Sequence, residues 1–229
     1  MRLLPFMAFL TLTAAILPAQ DEEYDKRVRH ATETLHDIMA TPDKAIPRGL
    51  LNRARCLAVV PGMKKAAFVV GGEYGRGYAL CRTEEGWSAP APIRLAGGSF
   101  GLQLGAESTD IVFLVTNDRG MGHLLSDKFK IGADAAVAAG PVGRDAAADT
   151  DILMHAEILS WSRTRGIFAG VSLDGTVVEH DESEAKKLYG RPMSNHEILS
   201  GDINTAEVSL PLVRELDEIA PARLRVREH

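Results

Sequence analysis

Apolar residues near the N-terminus recur at the spacing of one helix face. The repeating positions are Val28, Ala31, Leu35, Ile38 and Met39. An acidic first turn precedes them, as is favourable at the positive end of a helix dipole, so the pattern predicts a helix over residues 24–40. Thr41-Pro42 ends this helix, and Pro47 begins a second, shorter helix that continues through Ala54.

From Leu57 onward the pattern changes to short apolar runs separated by glycine and proline, which predicts β-strands. The runs span residues 57–60, 66–70, 77–82, 93–95, 100–104 and 111–115. Residues 111–115 are all apolar, as expected of a strand covered on both faces. Residues 100–104 alternate between large apolar residues and Gly or Gln, so one face of that strand is nearly bare. Several such glycine-marked strands predict an α+β fold, in which a strongly bent, mainly antiparallel sheet packs against helices.

Helix-like and strand-like segments alternate through the second half of the chain. Predicted helices cover residues 121–129, 182–189 and 210–219, a predicted strand covers 167–173, and 133–139 and 152–160 fit either element. No repeat or linker divides these segments. We therefore predict a single domain over residues 20–229, whose last part, 201–229, is a helix followed by a tail.

Residues 1–19 have the three-part layout of a secretory signal peptide. Met1-Arg2 supplies a short positive start, residues 3–17 are almost wholly apolar, and Pro18-Ala19 precedes the acidic Asp21-Glu22-Glu23. The alternative is a membrane anchor, but an apolar stretch of about 15 residues is shorter than the roughly 20 that a spanning helix needs. The pattern predicts cleavage after Ala19 and export, to the periplasm or out of the cell, free or peripheral to a membrane.

Export makes the two cysteines, Cys56 and Cys81, candidates for a disulfide, because exported proteins meet an oxidising environment. Each cysteine lies in or beside a strand-like run, and neighbouring strands bring α-carbons within the roughly 4.4–6.8 Å that a disulfide needs. The alternative is two buried thiols that never meet. Two cysteines do not complete a four-ligand zinc site, and no metal or cofactor is predicted.

Composition and charge narrow the function classes. Of the 229 residues, 45% are hydrophobic and 25% are charged, which are values of an ordinary globular domain and exclude a disordered tail or a collagen-like fibre. The formal net charge is −5, yet residues 26–65 hold nine Lys or Arg against three Asp or Glu. This basic segment favours an anionic partner, with ordinary surface charge as the alternative. The acidic total and the lack of a basic-aromatic groove disfavour nucleic acid.

Two glycine-rich segments resemble motifs of enzymes. Residues 97–101 fit G-x-S-x-G, which would make Ser99 a hydrolase nucleophile, but a strand pattern follows where that motif requires a helix. Residues 71–77 lack the G-K-[ST] ending and the following helix of a phosphate-binding loop, so they predict a hairpin between two strands. The chain is therefore predicted not to be an enzyme, with a serine esterase built on Ser99 as the less favoured alternative.

Seven segments, in order along the chain, resemble the SYLF domain family, also called the yeast-type actin-binding domain. They are residues 56–65 (CLAVVPGMKK), 70–77 (VGGEYGRG), 86–90 (GWSAP), 97–105 (GGSFGLQLG), 138–144 (AAGPVGR), 166–175 (GIFAGVSLDG) and 189–190. The match covers roughly residues 30–200. Trp161 departs mildly from the family, because it stands where the family more often has Tyr.

The resemblance implies a non-enzymatic module that binds phospholipids, with actin binding in some fungal and animal relatives. Exported bacterial members are described as lipid-binding SYLF proteins, and the chain is similar to these. An exported chain would not meet cytosolic actin, so the expected partner is an anionic phospholipid or membrane surface. The second interpretation is a structural or protein-interaction module of the envelope, without lipid specificity.

Two groups of cations are candidate lipid head-group ligands. The resemblance implies that the N-terminal amphipathic helix contacts the membrane, which makes Lys26, Arg27 and Arg29 candidates, although the preceding acidic residues would repel an anionic surface. The second group is Arg53 and Arg55, before the first strand, with Lys64 and Lys65, predicted in the turn after it. Four cations, each contributing about 1 kcal/mol near an anionic bilayer, predict weak and salt-sensitive attachment.

Overall fold

The computed structural model describes residues 19–41, 45–84, 86–141, 156–164, 167–168, 173–201 and 203–221. The predicted leader through Pro18, parts of two family motifs (142–144, 166 and 169–172) and the tail from 222 lie outside the described residues. The helices in the described part are α1 (Ala19–Met39), α2 (Arg48–Leu51), α3 (Asp118–Leu125), α4 (Glu182–Tyr189), α5 (Asn195–Leu199) and α6 (Leu210–Ile219). The strands are β1 (Cys56–Cys81), β2 (Ala91–Val115), β3 (Lys128–Lys130), β4 (Val137–Ala139), β5 (Ile158–Thr164), β6 (Ile167–Phe168) and β7 (Val177–His180).

Strands β1 and β2 form one long antiparallel ribbon. They pair from Cys56 opposite Val115 to Ala79 opposite Ala91, so the six predicted runs merge into two strands. The predicted hairpin over residues 71–77 is wrong, because this segment stays extended and pairs with 93–99. The predicted turn at Lys64-Lys65 is wrong for the same reason. The glycines of 71–77 do not reverse the chain; they let two parts of the ribbon approach each other.

The ribbon curls until the two ends of β1 meet. The ribbon bends at two register shifts, between residues 60 and 63 and between residues 67 and 69. At each shift one strand has more residues than its partner. The Arg82 amide donates to the Arg55 carbonyl at 2.7 Å, and Cys56 and Cys81 form a disulfide, which confirms that prediction. A Cβ at Gly77 would overlap the carbonyl oxygen of Val59, so only glycine fits this crossing.

The remaining strands extend the sheet from β2. Strand β7 pairs with residues 93–96, and β5 pairs with residues 109–115, both antiparallel. Strand β3 adds antiparallel to β7, β6 adds antiparallel to β5, and β4 adds parallel to β5. The fold is therefore α+β with a curled, mainly antiparallel sheet, as predicted.

Alternate residues of the ribbon bury their side chains in two apolar clusters. On what we call the inner face, Ile111 and Phe113 pack with residues of α3 and α5, including Leu124 and Ile198. On the outer face the buried partners belong to β1, β2, α1, α2 and α6: they include Leu57, Leu114, Leu35, Leu51 and Leu216. Residues 111–115 are buried throughout, which confirms the prediction of a strand covered on both faces.

Other elements agree with or refine the predictions. Helices α1, α2, α4 and α6 lie where helices were predicted, although α2 is a single short turn. The predicted helix over 121–129 is wrong at its end: the Asn117 side chain caps the Gly120 amide and starts α3 early, and β3 follows. The two ambiguous segments contribute strands β4 and β5, and β6 is the described part of the strand predicted over 167–173.

Candidate functional site

Lys64 and Lys65 lie in the middle of β1. Lys64 is exposed and stands opposite Ser108, whereas Lys65 is partly buried and stands opposite Glu107. Neither lysine has an ion-pair partner within the described part of the chain. Opposite charges at directly facing positions attract, so Glu107 offsets part of the Lys65 charge and Lys64 is the freer cation.

Arg53 and Arg55 lie between α2 and β1, and both are exposed. The Arg55 Nε atom is 3.1 Å from the Asp118 carboxylate at the start of α3. Arg53 has no ion-pair partner among the residues that the structure describes. The available positive charge at this end is therefore mainly that of Arg53.

The structure does not bring these four cations together. Arg55 precedes β1, and Lys64 follows nine residues later on the same extended strand. At about 3.3 Å per residue, roughly 30 Å of strand separates them. We predicted Lys64 and Lys65 in a turn after the first strand, but β1 continues through both of them. The result is two separate basic patches, one at Arg53 and Arg55 and one at Lys64 and Lys65.

Helix α1 packs its apolar face into the core. Val28, Ala31, Leu35 and Ile38 are essentially inaccessible to solvent in the outer cluster. The polar face carries the exposed Lys26 and a surface ion pair between Arg29 and Asp25. Insertion of the apolar face into a bilayer would therefore require α1 to leave the sheet.

Arg27, the third cation of α1, belongs to a buried polar network instead of the surface. Its guanidinium pairs with the buried Glu184 of α4, which also accepts a 2.6 Å hydrogen bond from the Tyr78 hydroxyl of β1. Next to them, Arg76 of β1 pairs with the buried Asp181, at 2.6 Å. The network joins three elements, α1, β1 and the start of α4, so Arg27 is engaged inside the protein.

Burial and charge act against each other in this network. Burial alone would raise the pKa of Asp181, but hydrogen bonds from Ser183 and the nearby Arg76 outweigh it, so the pKa is lowered. Burial and the neighbouring Glu184 raise the pKa of Tyr78, which keeps the phenol protonated as a donor. Sequence reasoning missed this network, because Asp181 and Glu184 also fit the ordinary acidic start of an exposed helix.

Ser99 does not lie on a nucleophile elbow. It is within β2, with its backbone opposite Gly71, and no turn into a helix follows. His180 stands opposite Ile93, six residues away along β2, which places it about 20 Å from Ser99. The His180 ring is hydrogen-bonded to Asn195 at 2.7 Å. A catalytic Ser–His pair is therefore not formed here.

The described residues hold little internal binding space. A small apolar cavity in the inner cluster measures about 10 Å³, room for at most one water molecule, and is lined by side chains such as Ile93, Phe113 and Phe129. No cluster of metal-ligating side chains is found among the residues described. None of the described helices is long and apolar enough to cross a bilayer.

Comparison with known proteins adds a family to this geometry. The family model named Ysc84, described as Las17-binding protein actin regulator, matches residues 96–219, more than half of the chain. This range begins within β2 and ends at the last residue of α6.

Individual relatives match a longer part of the chain. Protein YSC84 of Saccharomyces cerevisiae is 33% identical over 182 residues, which are 78% of this chain and 39% of that protein. LAS seventeen-binding protein 3 of the same organism is 35% identical over the same shares. SH3 domain-containing YSC84-like protein 1 of Bos taurus is 33% identical over 178 residues, 77% of this chain and 52% of that protein. The chain thus spans about half or less of the length of these relatives.

Proposed function

Because this chain belongs to the Ysc84 family, which contains the SYLF domain, we propose that it is a non-enzymatic module that binds an anionic phospholipid surface. One observation carries the proposal: exposed cations of the basic segment, above all Lys64 and Arg53, have no ion-pair partner among the described residues. Such cations are available to lipid phosphates, at about 1 kcal/mol each. Contacts of this kind are weak individually and are screened by salt.

We propose in addition that the protein is exported, and that residues 1–19 are removed. Two features support this: the signal-peptide pattern of the leader and the disulfide between Cys56 and Cys81, a bond typical of oxidising compartments. N-terminal sequencing of the protein recovered from cell fractions tests it. Recovery of the intact leader in the cytosolic fraction would contradict export.

Vesicle co-sedimentation of residues 20–229 tests the lipid proposal. We expect binding to phosphatidylcholine vesicles that contain phosphatidylglycerol, weakening from low to physiological salt, and none to phosphatidylcholine alone. The two basic patches are then separated by two variants, Lys64→Glu with Lys65→Glu and Arg53→Glu with Arg55→Glu. The matched control is Lys186→Glu with Arg214→Glu, which makes the same charge change at exposed positions of α4 and α6. Equal losses in all three variants would show that only net charge matters.

The second candidate is a protein-interaction module, favoured by the names of the relatives. The family description and LAS seventeen-binding protein 3 both refer to binding of another protein. If the chain has this function instead, we expect no binding to vesicles at either salt concentration. A pull-down from an envelope fraction would then be the informative experiment, since an exported chain meets partners there.

A further inference from the structure

In the described part of the chain, helices cover the outer face of the sheet at the end that holds Leu80 and Tyr78. Along β1, Leu80 and Tyr78 are fully buried under α1, α2 and α6 in the outer cluster. Toward the N-terminal end of β1, the next side chains on this face are exposed: Arg76 is 28% exposed and Tyr74 is 49% exposed. Tyr74 is the one large hydrophobic residue that stands exposed in the described part of the chain. The outer face therefore emerges from its helical cover toward Tyr74.

The strand registers build two rows of side chains on this open face. The first row is Lys128 of β3, Glu179 of β7, Arg94 of β2 and Arg76 of β1. The second row, two residues away on each strand, is Lys130, Val177, Ala96 and Tyr74. Directly opposite residues share a face, and the residues between these rows, such as Phe129 and Leu95, are buried in the inner cluster.

The two rows have more positive than negative charge. Four cations accompany one carboxylate, Glu179, which pairs with Arg94 at 2.7 Å and with Lys128 at 3.6 Å. Three further acids lie at the margins: the buried Asp181 and Glu184 both pair with Arg76, and Asp134 accepts from the Lys130 backbone amide at 2.7 Å. The Lys128 and Arg94 side chains remain 66% and 42% exposed.

We propose that this open outer face is the surface that lies on an anionic bilayer. Lys128, Lys130 and Arg94 contact lipid phosphates, and Tyr74 enters the headgroup region, where an aromatic ring with a polar hydroxyl is favoured. Charge complementarity selects an anionic surface. The exposed ring beside Ala96 and Val177 selects a bilayer, which accepts apolar as well as charged side chains. This inference rests on the lipid-binding function proposed above and adds to it a contact surface separate from Lys64 and Arg53.

Neutral substitutions test the site without placing new charges beside Glu179. The variant with Lys128→Gln and Lys130→Gln is expected to bind phosphatidylglycerol-containing vesicles about 30-fold more weakly than the wild type. Lys186→Gln with Arg214→Gln, at exposed positions of α4 and α6, is the matched comparison and is expected to change affinity much less. Tyr74→Ser, which changes no charge, is expected to weaken binding as well. Unchanged melting temperatures would show that all three variants are folded.

A reporter at position 74 gives an independent measurement. Because Trp87 and Trp161 also fluoresce, the wild-type spectrum is subtracted from that of Tyr74→Trp. The remaining emission is expected to shift to shorter wavelength with phosphatidylglycerol-containing vesicles and not with phosphatidylcholine vesicles. This site would be overturned if the variant with Lys128→Gln and Lys130→Gln binds vesicles as tightly as the wild type and the fluorescence of Tyr74→Trp does not shift. The lipid-binding function would still stand. Failure of the wild type to bind any vesicle would overturn both.

Discussion

Arg27 and Glu184 form a buried ion pair that joins the first helix to the fourth, although 157 residues separate them in sequence. Glu184 is almost inaccessible to solvent, and the Tyr78 hydroxyl occupies its second oxygen. The pair fixes α1 against the outer face of the sheet, next to the apolar contacts of Val28 and Ala31. Helix α1 is thus held by charged contacts and by apolar packing along its length.

Arg27→Ala should destabilise the protein by about 3 kcal/mol, because it leaves the buried Glu184 carboxylate with only the more distant Arg76, at 3.9 Å, as a cation. Urea unfolding measures the loss. Arg29→Ala is the matched control: its ion pair with Asp25 is at the surface, and its removal should cost less than about 1 kcal/mol. Arg27→Met combined with Glu184→Gln, which keeps an acceptor for the Tyr78 hydroxyl, should recover much of the loss. Equal stability of the Arg27 and Arg29 variants would contradict the buried pair.

Asp181 should make stability depend on acid pH. Its folded pKa is lowered, so its contribution is complete above the unfolded pKa of about 3.9 and is lost as pH falls through the folded pKa. Asp181→Asn keeps a helix-capping side chain but removes the charge that pairs with Arg76. The difference in unfolding free energy between wild type and variant should therefore shrink from pH 7 toward pH 3. A constant difference would mean that the Asp181 charge contributes nothing.

Gly77→Ala should be severely destabilising, at more than about 2 kcal/mol, because the new methyl group would overlap the Val59 backbone where the ribbon crosses itself. Gly98→Ala is the matched control on the partner strand, where no atom lies within 4 Å of an added Cβ. Thermal unfolding of the two variants compares them directly. Similar melting temperatures for both would show that the ribbon does not close at Gly77.

The disulfide should stabilise the closed ribbon by about 3 kcal/mol, since it joins residues 25 positions apart. Reduction under native conditions should lower the melting temperature of the wild type. The variant with Cys56→Ser and Cys81→Ser should start at the lower value and show no response to reductant. Detection of two free thiols in the native exported protein would contradict the bond.

Local patterns in the sequence predicted most helices, the disulfide and the fold class, because amphipathic spacing and apolar runs act over a few residues. These patterns gave wrong or incomplete predictions where a residue contacts a part of the chain that is distant in sequence. The glycines of 71–77 resemble a turn, yet Gly77 is needed for a crossing with Val59. Likewise, Arg27 carries no local sign that its partner is Glu184. The open outer face could not be predicted, because Lys128, Arg94 and Arg76 are distant in sequence and only the strand register aligns them.

Whether the chain binds an anionic bilayer is decided by co-sedimentation of residues 20–229 with phosphatidylcholine vesicles, with and without phosphatidylglycerol. We expect binding that requires the anionic lipid and weakens from low to physiological salt. Absence of binding to anionic vesicles at low salt, or equal binding to both compositions, would contradict it.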